Sequence, residues 1–227
     1  MFSSFRLFNT YSPSMPTNET VGITLEYLLL MKYGLSGKYN PNRFKPSESL
    51  HKVSDKIYSL FQEKKIILKE YTGPQNTYYD FKADDGSTVS LKSNFNGYKV
   101  CPQNIGQISK EKWLSKFQGN DVSCDHKVVF MKNKESIVQE YWYNLFLCDH
   151  NIWARYEQQK WKVTYIPKNT SCIFNGKIET TRTIEQWNES NTLKYNGNSI
   201  GEIQIHRNRN CVKFRFNMLN CLTLLNV

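Results

Sequence analysis

The stretch TYYDFKADDGSTVSLKSN, from Thr77 to Asn94, decides the fold of this chain. Two runs rich in β-forming residues flank the segment Asp84-Asp85-Gly86, and this arrangement predicts a β-hairpin. A three-residue loop with glycine in its third position is typical of a turn that ends in a left-handed residue. With that loop, Ala83 pairs with Ser87, and the register of the whole hairpin follows.

The register brings chemically useful side chains together. Counting outward from the loop places Asp80 opposite Ser90. Side chains alternate along a strand, so Ser90 and Lys92 share one face, with Asp80 beside them. A two-residue loop would instead place Asp80 opposite Leu91 and separate the group. The cluster therefore depends on the length of one turn.

In the rest of the chain, the sequence predicts mainly helices in the N-terminal part and strands in the C-terminal part. Periodic apolar residues predict helices at 21–33 (stopped by Gly34), from Leu50 to about Lys64, at 107–118 and at 133–160. Strands are predicted at 66–71, 161–166, 172–178, 200–206 and 212–216, and loops at 10–20 and 36–48. This order indicates an α/β or α+β fold with a mixed central β-sheet flanked by helices.

Composition narrows the class of protein. The 227 residues carry a formal net charge of +10, and a folded domain this basic is typical of proteins that bind a polyanion.

No apolar run is long enough to span a membrane, and the N-terminus lacks the layout of a signal peptide. Six scattered cysteines fit a reducing cytoplasm better than a disulfide scaffold. The two Cys-Asp-His triplets, at 124–126 and 148–150, lack the spacing of a zinc site.

The hairpin cluster has the composition of a phosphodiester-cleaving site. Magnesium prefers carboxylate and carbonyl oxygens, which Asp80 and the backbone carbonyl of Leu91 supply. A neighbouring Lys92 can orient the attacking water and offset negative charge in the transition state. Ser90 can hydrogen-bond a metal-bound water. The alternative is a cross-strand ion pair between Asp80 and Lys92 on a surface hairpin.

These residues resemble the PD-(D/E)XK nucleases, in which an Asp starts one strand and an acidic residue, a spacer and a Lys follow on the next. Here the positions are Asp80 and Ser90-Leu91-Lys92, so a serine stands where the family usually has a carboxylate. The resemblance implies that Glu26, on the first predicted helix, is the auxiliary carboxylate that completes the metal site. The stretches SLKSN and KVCPQNIGQ, and the C-terminal GEIQIHRNRNCVKFRF, are similar to segments of small type II restriction enzymes.

The resemblance implies a type II restriction endonuclease that cleaves double-stranded DNA at a short specific sequence with Mg²⁺, and a matching DNA methyltransferase that protects the host. It implies one nuclease domain over residues 1–227, with residues 1–20 as an arm and 195–227 as strands that contribute to DNA recognition. A homodimer is favoured by a palindromic target, while monomeric action stays open. Two alternatives remain: a non-catalytic nucleic-acid-binding protein, and a repair or transposition nuclease with the same core.

Several polar side chains are predicted to contact DNA. The run His206-Arg207-Asn208-Arg209 carries donors that match base edges and phosphates, since arginine pairs with guanine and asparagine with adenine. The other candidates lie in or after the hairpin: Asn94, Gln103, Asn104 and Gln107. The alternative for these positions is a solvated loop, a turn or a helix cap. The aromatic stretch from Tyr141 to Trp153 is interpreted as a buried helix face rather than a base-stacking surface.

Overall fold

Two β-sheets, with helices packed against each, make up the fold. The computed structural model describes residues 17–37, 42–73, 78–119, 125–168 and 174–224. In chain order the helices are α1 (Asn18–Tyr33), α2 (Glu48–Glu63), α3 (Lys110–Phe117), α4 (His126–Leu145) and α5 (Met218–Leu224). The strands are β1 (Leu68–Tyr71), β2 (Phe81–Ala83), β3 (Thr88–Asn94), β4 (Lys99–Val100), β5 (Gln107–Ile108), β6 (His150–Glu157), β7 (Lys160–Pro167), β8 (Glu179–Thr180), β9 (Ser190–Tyr195), β10 (Asn198–Ile205) and β11 (Val212–Asn217).

The first sheet contains the hairpin and has the order β1-β2-β3-β6-β7. Strands β3 and β6 run parallel, from the pair Val89–His150 to the pair Asn94–Arg155, while the other neighbours are antiparallel. Helices α1 and α2 pack on this sheet through apolar side chains such as Leu25 and Ile57, which are fully buried. The predicted fold class, a mixed sheet flanked by helices, is therefore confirmed.

The second sheet holds the C-terminal strands in the order β4-β11-β10-β9-β8, and β5 also pairs with β11. Its strand pairs are antiparallel. Helix α4 contributes Tyr141, which stacks on Phe214 at 4.1 Å between ring centroids, and Trp142, which meets the edge of Phe216 at 5.4 Å. The aromatic side chains of α4 thus build a core, as the sequence predicted, although Tyr143 beside them is exposed.

The first helix begins and ends where its sequence directs. Thr17 caps the N-terminus by accepting a hydrogen bond from the N–H of Thr20 at 3.1 Å, and Glu19 in the first turn complements the positive end of the helix dipole. Gly34 ends the helix in the left-handed conformation, with φ at 62°. The predicted stop at Gly34 is confirmed, while residues 18–20 belong to the helix and not to an N-terminal arm.

The hairpin has the predicted register. The N–H of Ala83 donates to the carbonyl of Ser87 at 2.8 Å, and the N–H of Gly86 donates to the carbonyl of Ala83 at 3.1 Å. Gly86 lies in the left-handed region with φ at 86°. The pair Phe81–Val89 continues the ladder, and the side chain of the preceding residue, Asp80, contacts Ser90 and Leu91 of β3.

Two predicted elements are wrong. The helix expected over 133–160 ends at Leu145, and residues His150–Glu157 form β6 instead. This strand lies inside the sheet, so Ile152, Trp153 and Ala154 are all buried and the alternation that marks a strand is lost. Within the strand predicted at 172–178, the described residues 174–178 adopt no regular structure.

One helix boundary also differs from the sequence prediction, and some of the residues concerned by the predictions are not described. Residues 1–16 and 171–173 lie outside the described part of the chain. The helix expected from 107 begins at Lys110, because Ser109 caps it and Gln107 pairs in β5. No helix in the described ranges is long and apolar enough to cross a membrane.

We expect Gly86→Ala to lower the free energy of unfolding by about 1 kcal/mol, because a Cβ is disfavoured in the left-handed conformation. Nothing lies within 4 Å of a Cβ built at this position, so the cost would be conformational and not steric. Gly86→Asn should cost less, because asparagine tolerates this region. Urea denaturation of the three proteins measures the difference, and equal stability of the Ala variant would contradict the assigned turn.

Candidate active site

The carboxylate of Asp80 is fixed to the neighbouring strand. Its backbone N–H donates to the carbonyl of Val89 at 2.9 Å, which extends the hairpin one residue beyond β2. Its Oδ2 accepts the N–H of Leu91 at 2.6 Å and the hydroxyl of Ser90 at 3.3 Å. The side chain therefore takes the place of a strand partner, and its position is set before any ligand binds.

The carbonyl of Leu91 leaves β3 on the side of Asp80. In a β-strand, the N–H and C=O groups of one residue point toward the same neighbour, and the N–H of Leu91 points to the Asp80 carboxylate. The Leu91 side chain is buried against α1 and α2. Carboxylate and carbonyl oxygens thus come together at one edge of the sheet.

Glu26 of α1 joins this group from the helix layer. The hydroxyl of Tyr71 donates to its Oε2 at 2.7 Å. Burial, and after it the negative charge of Asp80, raise the pKa of Glu26 to about 8, against the opposing effects of Tyr71 and of the positive charge of Lys92. Two carboxylates and one lysine therefore share a small, partly desolvated volume.

Ser90 and Lys92 lie on the face of β3 that looks away from α1. Ser90 is buried, with 1% of its surface exposed, while Lys92 is partly exposed. The positive charge of Lys92 acts on Glu26, and it also opposes the rise that burial causes in the pKa of the thiols of Cys101 and Cys148. This ammonium group therefore stands near the carboxylates and toward the second sheet.

Buried hydrogen bonds that involve Gln103 and Cys148 support the position of Ser90 beside Asp80. The side-chain amide of Gln103 donates to Oγ of Ser90 at 2.5 Å, so the Ser90 hydroxyl proton is left to point at Asp80. The thiol of Cys148 lies 3.6 Å from Oε1 of Gln103 and 3.3 Å from the carbonyl of Tyr78. Burial, and then the charge of Asp80, raise the pKa of Cys148 to about 11, so the thiol stays protonated and can donate.

The residues predicted to contact DNA divide into two groups. Asn94 and Gln103 are buried, with 3% and 7% of their surface exposed. Asn94 accepts from the indole of Trp153 at 2.8 Å and donates to the carbonyl of Lys99 at 3.2 Å, and Gln103 serves Ser90. Their amides are already engaged inside the protein, so the structure gives these two residues supporting positions rather than a DNA-facing one.

The second group is exposed. Asn104 and Gln107 lie at the surface, and the run 206–209 forms the connection between β10 and β11. Within this connection, the backbone N–H of Arg207 donates to the carboxylate of Glu189 at 3.0 Å. The guanidinium groups of Arg207 and Arg209 contact no acidic side chain in the described ranges. The exposed connection predicted from the sequence is thus present, and its arginines are available.

Some members of the neighbourhood were not predicted from sequence. Cys148 and the strand β6 come to β3 through a parallel pairing that joins residues about 60 positions apart. No local pattern in the sequence indicates such a partner.

Among the described residues there is no group of three or more His, Cys, Asp or Glu side chains arranged for a metal ion. The candidate site instead combines two carboxylates with a backbone carbonyl.

Replacing Gln103 by methionine should lower the free energy of unfolding by about 1–3 kcal/mol, because Ser90 and Cys148 would lose a buried partner. Gln107→Ala is the matched control, since this second glutamine of the same segment is exposed and should change stability by less than about 0.5 kcal/mol. Urea denaturation compares the two variants. Equal, small effects would mean that the Gln103–Ser90 contact contributes little.

The chain is similar to a known restriction enzyme over most of its length. It is 31% identical over 186 residues to the type II restriction enzyme CviAII of Paramecium bursaria Chlorella virus 1, a match that takes in 74% of this chain. The match spans 54% of the relative, so the chain spans about half the length of the curated relative it matches. No family model matches the chain, and no solved structure matches it. The comparison confirms the resemblance to type II restriction enzymes that the sequence motifs indicate.

Proposed function

We propose that the protein is a type II restriction endonuclease that hydrolyses phosphodiester bonds of double-stranded DNA at a short specific sequence. The observation that carries the proposal is the convergence of Asp80, Glu26, Lys92 and the Leu91 carbonyl on one edge of the first sheet. The relative of viral origin supports the reaction class. The net charge of +10 suits a polyanionic substrate.

The cofactor we propose is Mg²⁺, held by Asp80, Glu26 and the Leu91 carbonyl. These donors are hard oxygens, which magnesium prefers over nitrogen or sulfur. Burial, and then the charge of Asp80, raise the pKa of Glu26 to about 8, and a cation bound between the two carboxylates would favour the ionised form of Glu26. When bound, magnesium would activate water and stabilise the negative charge of the phosphate in the transition state.

The protein's own residues have distinct tasks in this proposal. Asp80 is oriented by the Leu91 N–H and the Ser90 hydroxyl, so its second carboxylate oxygen is the one available to a ligand. Lys92 holds and orients the attacking water and offers positive charge to the phosphate. Ser90 has its hydroxyl on Asp80, so it positions that carboxylate and does not replace the missing acidic residue of the PD-(D/E)XK pattern.

The biological setting follows from the activity and is part of the proposal. A nuclease of this kind requires protection of host DNA by a methyltransferase that modifies the same sequence. A palindromic target would favour a twofold dimer. Two rival functions make different predictions: a non-catalytic nucleic-acid-binding protein would not cut, and a repair or transposition nuclease would not give fragments with one common end sequence.

Digestion of a phage genome of known sequence with Mg²⁺, followed by sequencing of the fragment ends, tests the function directly. We expect a single recognition sequence shared by the ends. EDTA should abolish cleavage, because the hard-oxygen site needs its cation. Fragments with unrelated ends would favour the repair or transposition nuclease, and an intact genome would favour the non-catalytic alternative.

Asp80→Asn and Lys92→Ala should each reduce cleavage by a factor of about 10³ or more while the protein remains folded, because each removes a charge that acts in the transition state. The hairpin offers matched controls in Asp84→Asn and Lys82→Ala, both exposed, which should cut at nearly the wild-type rate. Cleavage rates and circular dichroism of the four variants provide the comparison. Near wild-type cutting by Asp80→Asn or Lys92→Ala would exclude this site.

Glu26→Gln tests the metal ligand separately from the chemistry. In EDTA at pH 7 we expect this variant to melt at a higher temperature than the wild type. Burial raises the pKa of Glu26 to about 8, so folding must protonate this carboxyl, whereas an amide is neutral at every pH and still accepts the Tyr71 hydrogen bond. Added Mg²⁺ should raise the melting temperature of the wild type more than that of the variant. If magnesium stabilises both proteins equally, Glu26 does not bind the ion.

A further inference from the structure

Three polar side chains form a row across the second sheet. Gln204 of β10 pairs with Lys213 of β11, and Lys213 pairs in turn with Gln107 of β5. Directly paired residues on neighbouring strands project to the same face of a sheet. The three side chains therefore stand side by side, and we call them the Gln204–Lys213–Gln107 row.

The row faces away from the core. Ile203, Ile205, Val212 and Phe214, which alternate with it along β10 and β11, are buried in the second core. In contrast, Gln107 is exposed, and Gln204 and Lys213 are half-buried. None of the three side chains forms a hydrogen bond or an ion pair in the part of the chain that the structure describes. Amide and ammonium groups on this face are thus free for a ligand.

The surroundings of the row are positively charged. On the same face, Glu202 is buried and bound by both Lys99, at 2.5 Å, and Arg215. Two cations against one carboxylate leave a net positive charge, to which Lys213 adds. The exposed connection with Arg207 and Arg209 continues from the adjacent ends of β10 and β11. The partner this face fits is therefore an anion with hydrogen-bonding groups of its own.

The chain links the row to the candidate active site. The segment from Lys99 to Ile108 follows β3, sends Gln103 inward to Ser90 and, four residues later, places Gln107 in the row. Burial raises the pKa of the Cys101 thiol in this segment, and the positive charges of Lys213, Arg215 and Lys92, which lie near the thiol, oppose that rise. The row and the candidate active site are therefore joined by one short segment of the chain.

We propose that the Gln204–Lys213–Gln107 row reads base edges in the major groove and sets the sequence that the enzyme cleaves. The proposal rests on the proposed function for the identity of the substrate. In the major groove, glutamine pairs with adenine through two hydrogen bonds, and lysine donates to guanine. Three strands spaced about 4.8 Å apart span roughly 10 Å, which is about three base-pair steps of 3.4 Å.

The test is a selection from duplexes with a randomised centre, carried out in Ca²⁺ so that binding is read without cleavage. The proteins compared are the wild type, Gln204→Ala, Lys213→Ala, Gln107→Ala and the control Lys82→Ala, which removes an exposed lysine of β2 in the first sheet. We expect each row variant to lose preference at one base position, with discrimination falling about 5- to 150-fold there. The control should keep the wild-type preference.

Two results would overturn the proposal. If every row variant selects the wild-type sequence with wild-type affinity, the row does not contact DNA. The second result is that the variants lose the same amount of affinity for every sequence and that their affinity depends less steeply on salt concentration. The row would then contact phosphates and would not read bases. Melting temperatures of the variants show that a loss is not due to unfolding.

A failure of the nuclease function would look different. A wild-type protein that selects one sequence in Ca²⁺ but leaves it intact in Mg²⁺ would contradict the nuclease and leave the row testable. A wild-type protein that cuts at one sequence, with row variants that keep the same preference, would contradict the row alone.

Discussion

The hydrogen bond from the Leu91 N–H to the carboxylate of Asp80, 2.6 Å long, is the contact on which the site depends. Strand β2 is short and begins only at Phe81, so the ladder between β2 and β3 does not extend past the pair Phe81–Val89 to Leu91. A buried N–H without a partner would cost stability. The Asp80 side chain supplies that partner and is held at the edge of the sheet, where the Leu91 carbonyl emerges. The same hydrogen bond thus satisfies the backbone of β3 and orients a carboxylate of the candidate active site.

This arrangement concentrates negative charge, which the fold tolerates because other elements oppose it. Glu26 arrives from α1, and Tyr71 donates a hydrogen bond to it. Burial, and then the charge of Glu26, raise the pKa of Tyr71, so the phenol keeps its proton and remains a donor. Lys92 adds positive charge from β3. Such a group of charges with a shifted pKa is typical of functional sites, and it supports the metal site that we propose.

Local sequence could predict the hairpin and not its distant partners. The turn Asp84-Asp85-Gly86 and the alternation that follows are encoded within about 15 residues, so the register and the Asp80–Ser90 pairing followed from the sequence. Glu26 came from a family resemblance, since nothing within its helix shows that Asp80 lies nearby. Strand β6 was mistaken for a helix, because a strand buried on both faces loses its alternation. Two parallel strands also cannot be joined by a short turn, so no turn in the sequence indicates that β6 pairs with β3.

The two glutamines of the segment PQNIGQ show where residue type alone misleads. Both were expected to contact DNA, yet Gln103 is buried on Ser90 and only Gln107 is exposed. The bend between them is tight: the N–H of Gly106 donates to the carbonyl of Pro102 at 3.2 Å, and a Cβ at Gly106 would lie 2.3 Å from that oxygen. Glycine is therefore required for the bend itself, whatever residues flank it.

The same segment is bonded to both sheets. The carbonyl of Gly106 accepts the N–H of Phe214 in β11 at 2.7 Å, while the side chain of Gln103 is bonded to Ser90 in β3. The path from β11 to Ser90 therefore consists of hydrogen bonds and covalent bonds alone. The segment thus connects the face that carries Lys213 to the carboxylate of Asp80 through Gln103 and Ser90, as the proposed dependence of cleavage on the bound sequence would require.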